Sequence, residues 1–253
     1  MTFANLPRYA LGLLRAQEYS RPPIVVGGCE RSGTTLLQSV ISAHPRIDAF
    51  AEELWCFCHD IRAGFPPGRP IRMRRLYKYL GSRPKPGDTW RWSEKSPANV
   101  FYFQQILEYF SGRVRLVQIV RDGRDVVSSL HPARPNEPWV SVDRWKASVT
   151  AGLAFTSDPR VLTIRYEDLV LDYERTAREL FAFLDEDFSE KALRWHDHAK
   201  IRTSDNLIGG DVHKLSGSSV RKFERPDFPF DDLVASLMAD AEARELLSFF
   251  DYL

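Results

Sequence analysis

Three cysteines in 253 residues, no long apolar run and almost no net charge set the first limits on this chain. Cys29, Cys56 and Cys58 are an odd number with a single C-x-C, so they form neither a disulfide framework nor a four-ligand zinc pattern. No stretch approaches the ~20 consecutive apolar residues of a membrane span. The apolar run Tyr9–Leu14 near the start is too short for one, and no signal-cleavage pattern accompanies it. A soluble, cytoplasmic protein is expected. The 35 Lys+Arg and 34 Asp+Glu leave a formal charge of +1. Near-neutrality provides no broad field for nucleic acid or an anionic membrane, so any anion site must be built locally. Lysine itself is scarce, 8 residues against 27 arginines. Arginine suits forked recognition of phosphates and carboxylates, although a GC-rich genome produces the same bias.

What is present is an ordinary globular composition, 43% hydrophobic and 27% charged. A chain of this size buries roughly 70–75% of its unfolded surface, so it needs no covalent staples. Three short β-branched runs, Pro23–Gly27, Val114–Val120 and Val161–Arg165, are each followed by a helical pattern. Buried strands alternating with helices predict an α/β fold with a central, mostly parallel sheet flanked by helices, which the glycine loop described below makes a single three-layer domain of P-loop type. The domain is expected to span 1–253, with 1–20 as an N-terminal extension and 200–229 as a lid or acceptor loop. Ser96-Pro97 predicts a capped helix running to Gly112. Trp139, Val142, Trp145, Val149 and Leu153 form one helical stripe of core type. Asp231 is positioned to cap a C-terminal helix reaching Leu247.

The most informative segment runs from Ile24 to Leu37, where a strand leads through glycines into a small-polar helix start. Gly28, Gly33 and Thr35 match G-x-x-x-x-G-x-[ST], whose backbone N–H groups form an anion nest at a helix N-terminus. The nucleoside-triphosphate version has a lysine before the hydroxyl residue; here that position is Thr34 and the cation comes earlier, at Arg31. The pattern predicts a nucleotide phosphate held without metal. A second block, Ile119–Leu130, places Arg121 at a strand end and Ser129 on the next helix, able to converge on one phosphate as fork and hydroxyl.

Arg31-Ser-Gly-Thr-Thr-Leu36 resembles the 5′-phosphosulfate loop of sulfotransferases, enzymes that use 3′-phosphoadenosine-5′-phosphosulfate (PAPS) and release its desulfated product, PAP. Ile119–Leu130 resembles the family's 3′-phosphate motif. Ser93–Pro97, Ile164–Val170 and Ser218–Arg225 resemble three further segments, in family order, and the likeness is nearest to the tyrosylprotein and bacterial types. The resemblance implies a PAPS site formed by Arg31, Ser32, Gly33, Thr34, Thr35, Leu36, Arg121, Ser129, Tyr166 near the adenine, and Arg221 and Lys222 closing over the nucleotide. It implies no resident metal. It also implies in-line sulfuryl transfer, with Arg31 and Lys95 as catalytic cations and a glutamate as general base. The glutamate is Glu53, with Glu52 the rival, because one extra residue separates His44-Pro45 from the pair. A base of this kind needs its proton affinity raised, which Leu54, Trp55 and Phe57 can supply by desolvation. His59 and His131 are weaker alternatives. His196 and His198 lack a third ligand for a metal.

The acceptor stays open among small molecules, glycans, lipids and peptides carrying a hydroxyl or amine. It is expected between residues 52–80 and 200–229. The basic run Arg69, Arg72, Arg74, Arg75 and Lys78 is read as a solvated helix face rather than an acceptor site. Neither nucleic acid nor a membrane span is expected, and the oligomeric state, a homodimer included, stays open. The competing readings are a P-loop kinase or NTPase and a non-catalytic nucleotide-binding protein of the same fold.

Overall fold

The five residues Ile24–Gly28 (β1) carry no polar side chain, and all are buried. Ile24 and Val26 enter one core, Val25 another, as the two-residue period of a strand buried on both faces requires. The computed structural model describes residues 7–58, 70–131, 134–201 and 217–253, with Pro135 and Asn136 by backbone alone. From the N-terminus the order is α1 (Arg8–Ala16), β1, α2 (Thr34–Ser42), β2 (Ile47–Ala49), α3 (Met73–Ser82) and β3 (Arg91–Lys95). A 3-10 turn over Pro97–Tyr102 leads into α4 (Phe103–Tyr109), β4 (Arg115–Val120) and α5 (Gly123–Val127). The small strands β5 (Leu130–His131) and β6 (Arg134–Pro138) precede α6 (Val142–Leu153), β7 (Val161–Arg165), α7 (Tyr166–Leu171) and α8 (Tyr173–Phe183). Then come α9 (Glu190–Leu193), α10 (Trp195–His198), α11 (Asp231–Ala239) and α12 (Ala241–Phe249).

The central sheet has the order β2-β3-β1-β4-β7, and each neighbouring pair is parallel. β5 and β6 form a separate antiparallel pair. Helices cover both faces, so the expected α/β class and flanked parallel sheet are what the chain adopts. The three β-branched runs became β1, β4 and β7. Successive crossovers from β1 lead to β2 and β3 on one side, whereas β4 and β7 lie on the other. The crevice at the carboxyl end of β1 is therefore the topological switch point, where open α/β sheets place their ligands.

Four local expectations need correction. β2 and β3 were not anticipated, because Arg91-Trp-Ser-Glu-Lys95 reads as polar; it is nevertheless buried throughout. Its polar side chains find partners from other elements: Arg91 pairs with Glu186 at 3.3 Å, its Nε alone staying unsatisfied among the described residues, and the Ser93 hydroxyl donates to Gln38 at 2.7 Å. Ser96 does not cap a helix, since its hydroxyl donates instead to Glu94, and the chain enters α4 through the 3-10 turn. Trp139 lies ahead of α6, 40% exposed, while Trp145 and Val149 form the buried stripe under a Ser141 cap. The C-terminal helix is two helices. Asp231 makes no side-chain cap, and Asp240 caps the second by accepting from the Ala243 N–H at 2.9 Å.

Candidate active site

The loop between β1 and α2 takes its shape from Arg31 and Gly33, at φ 67° and 95°. Such angles are costly for a residue with a Cβ and routine for glycine. At Gly33 a Cβ would also fall 2.4 Å from Cδ2 of Tyr166, so the loop sits directly on that ring. Ser32 is fully buried, and its hydroxyl has no hydrogen-bond partner among the described residues. Thr34 and Thr35 open α2, leaving first-turn N–H groups and the positive end of the helix dipole at the switch point. Leu36 belongs to the core, so only its backbone faces this function. In front of the loop, Glu30 accepts from Arg144 of α6 at 2.9 Å.

Two cationic groups flank the loop. On the β3 side, buried Lys95 ends its strand with its ammonium on the Thr35 hydroxyl at 3.2 Å and on the Glu53 carboxylate. Glu53 keeps 27% of its side chain exposed, which leaves it reachable from the crevice. Glu52 points elsewhere and accepts from the Tyr79 hydroxyl at 2.6 Å. Adjacent residues thus have opposite destinations. The fully buried carboxylate of Glu94 accepts from the Leu54 N–H at 3.1 Å, the Ser96 hydroxyl at 2.7 Å and the Asn99 amide at 2.8 Å. Burial raises the proton affinity of Glu94, and those donors oppose the rise. Glu94 and Lys95 project to opposite faces of β3, and together they grip the 53–54 segment by a backbone amide and a side chain.

On the β4 side stand Arg121, Lys222, Arg31 and Ser129, the last just beyond the end of α5 and not on a helix as expected. Arg121 donates to the Arg31 carbonyl at 3.0 Å and to the Ser219 carbonyl, and its guanidinium lies 4.3 Å from the centre of the Tyr166 ring. The Tyr166 hydroxyl is 2.6 Å from that of Ser219. Lys222 Nζ is 3.5 Å from Ser129 Oγ. Burial, then the neighbouring Arg121, push the Lys222 ammonium down to about 8. The same two causes lower Arg31. Cations that suppress one another's charge at a partly buried site are relieved by an anion placed among them.

Most of the expected residues converge on this crevice. Arg31 stands with Arg121 and Lys222 rather than beside Lys95, and its guanidinium lies 5.9 Å from the Trp139 ring. Arg221 sends its side chain outward to Glu224 at 3.0 Å and contributes only its backbone. His131 lies against Trp139, the ring centres 4.6 Å apart and the planes tilted by 39°. His59 and Arg69 lie outside the described residues, as does 202–216 of the expected lid. Arg72 donates to the Cys58 carbonyl at 2.6 Å, and Arg74, Arg75 and Lys78 are exposed along α3. The cysteines are free and buried. Sequence reasoning missed Glu94 and Asp125, whose partners lie 40 and about 96 residues away.

Fold and site together define an α/β protein with a strand–loop–helix flanked by cations at the switch point of a parallel sheet. The chain belongs to the sulfotransferase family, whose pattern matches residues 22–76 and 70–190. Among solved structures it resembles the sulfotransferase domain of the curacin biosynthetic pathway at 19% identity and a TM-score of 0.60, over 92% of this chain and 99% of that one. It resembles the sulfotransferase domain of the Synechococcus PCC 7002 olefin synthase at 18% identity and 0.59, over 93% and 96%. Mouse sulfotransferase SULT7A1, solved with PAP, aligns at 17% identity and 0.54, over 95% and 94%. No curated protein sequence gives a significant match. Among the described residues, no helix is long and apolar enough to cross a membrane, and no three His, Cys, Asp or Glu side chains gather where they could hold a metal ion.

Proposed function

We propose that this protein transfers a sulfuryl group from PAPS to a hydroxyl or amine of a small-molecule, glycan, lipid or peptide acceptor. The observation that carries this reading is the pairing of two cationic groups on either side of one glycine loop, with a reachable carboxylate in only one of them. A nucleotide with phosphates at both the 5′ and 3′ positions needs two such groups; the orphaned Ser32 hydroxyl in the loop fits the same ligand. When bound, PAPS supplies a sulfuryl group on a phosphate leaving group.

The roles of the chain's own residues follow from position. The loop amides from Gly33 to Leu36, with the hydroxyls of Thr34 and Thr35, hold the 5′ end. Arg121, Ser129, Lys222 and Arg31 hold the 3′-phosphate, and the Tyr166 ring supports the nucleotide between them. Lys95 neutralises charge growing on the departing phosphate oxygen, and Glu53 takes the acceptor's proton. Catalysis rests on positioning and electrostatics, as in phosphoryl transfer. A labelled-PAPS screen across acceptor classes, read by mass spectrometry, tests the activity. With an accepted substrate, Glu53→Gln should lower the rate about 10²–10⁴-fold, and Glu52→Gln should leave it nearly unchanged. Equal losses in both variants, or none in Glu53→Gln, would remove Glu53 as the base.

A further inference from the structure

Asp125 is completely buried, where an unpartnered carboxylate would be strongly disfavoured. Its partners are not on its own helix. Oδ2 accepts from the backbone N–H of Arg221 at 2.8 Å, and Oδ1 accepts from that of Lys222 at 2.8 Å. Two consecutive amides can reach both oxygens of one carboxylate only where the chain turns, and Arg221 makes that turn at φ 54°. The same residue also touches the other half of the anion site. The Ser129 hydroxyl donates to the Asp125 carbonyl at 2.7 Å, and Arg121 Nη2 lies 3.5 Å from its Oδ2. Asp125 therefore joins the Arg121–Ser129 block to a segment nearly one hundred residues downstream. The result is the position of Lys222, whose ammonium meets Ser129.

We propose that Asp125 is a positioning residue for 3′-phosphate recognition: it holds the Arg221–Lys222 turn so that Lys222 completes the receptor begun by Arg121 and Ser129. The inference rests on the nucleotide reading above. Asp125 is not itself a ligand, since a carboxylate repels a phosphate, and this fixes the sign of the test. By Coulomb's law alone, removing a negative charge beside an anion site tightens anion binding. If Asp125 acts by positioning, its removal weakens binding, and does so only for nucleotides that carry the 3′-phosphate.

Calorimetric titration with PAP and with adenosine 5′-phosphate, which lacks only the 3′-phosphate, separates these outcomes. In Asp125→Asn one carboxylate oxygen becomes an N–H₂ facing a backbone donor, so the turn is released. PAP affinity should fall about tenfold or more, the loss of one charge-assisted contact, while adenosine 5′-phosphate binding stays within about twofold. Combining Asp125→Asn with Lys222→Gln should weaken PAP no more than Lys222→Gln alone, because the tether acts through that lysine. Arg221→Pro tests the same turn at an exposed residue, removing one N–H and forbidding the positive φ. It should reproduce the PAP-selective loss even if Asp125→Asn fails to fold. Unchanged or tighter PAP binding in Asp125→Asn, equal weakening of both nucleotides, multiplied effects in the double variant, or an unchanged preference in Arg221→Pro each overturns the proposal. A wild-type protein that does not prefer PAP to adenosine 5′-phosphate would overturn the nucleotide reading itself. A wild type that prefers PAP beside unaffected variants overturns only the role of Asp125.

Discussion

Glu52 and Glu53 are neighbours in the chain with different destinations in the fold: Tyr79 holds the first, Lys95 the second, and Glu94 and Ser96 anchor the backbone just after them. The family resemblance put Glu53 ahead of Glu52 as candidate base, but no local signal in the sequence separates the two. Adjacent loop residues have no periodicity to separate them, and the contacts that hold them come from elsewhere in the chain. Gly33 was legible for the opposite reason, because its left-handed angle is a local demand of the turn. Gly33→Ala should lose about 1–3 kcal/mol of stability from the backbone strain and the collision with Tyr166, together with most PAP affinity. A urea titration and a calorimetric titration of the variant check this. Lys222 adds a pH effect. It faces Ser129, Arg121, Asp125, Arg31 and Arg225, and in the free protein it loses its charge as pH rises through about 8. Binding a phosphate favours the charged form. PAP affinity should therefore hold below pH 8 and fall above it, by up to about tenfold per pH unit. Lys222→Gln should flatten that dependence.

At the scale of elements, the strands that read clearly, β1, β4 and β7, are those whose apolar residues need no partner to be buried. β3 was hidden, because Arg91, Ser93, Glu94 and Lys95 are acceptable in a core only through partners supplied by Glu186, Gln38, Asn99 and Glu53. Those partners come from elsewhere in the chain and leave no local pattern. Glu94→Ala would orphan the Leu54 N–H and free the Asn99 amide, costing about 1–3 kcal/mol for each unsatisfied group. Thermal melting should show that loss. A second element-level contact is the crossing of α1 on α3, where a Cβ at Gly81 would fall 1.7 Å from the Arg8 carbonyl oxygen, and one at Gly12 equally close to that of Tyr77. Close backbone approach of this kind leaves no room for a methyl group. Gly81→Ala should push α1 off its seat and lower the urea midpoint, by about 1–3 kcal/mol in stability.

For the whole molecule, a net charge of +1 conceals a strongly uneven distribution. Arg31, Arg121, Lys222 and Lys95 gather around one loop, where Glu53 and Asp125 offset only part of their charge. The sheet order explains how residues so distant in sequence meet: each is delivered to the carboxyl end of a strand or held there by Asp125. The fold also carries an acid-sensitive point away from the site. His44 is buried, its Nδ1 accepting from the Arg46 N–H at 3.3 Å, and burial followed by Lys200 pushes its imidazole down to about 4. The unfolded chain takes up that proton near pH 6.5, so this contribution is fully present above pH 6.5 and is lost as pH falls toward 4. The loss is of the order of 3 kcal/mol. His44→Phe should shallow the fall in urea midpoint over that range. The proposed ligand of the crevice at the end of β1 is a nucleotide phosphorylated at both the 5′ and 3′ positions. Calorimetric titration of the wild-type chain with PAP, in a chelator and without Mg²⁺, tests it most directly. One-to-one binding is expected, tighter than that of adenosine 5′-phosphate. Absence of PAP binding, or binding only of ATP in the presence of Mg²⁺, would contradict it.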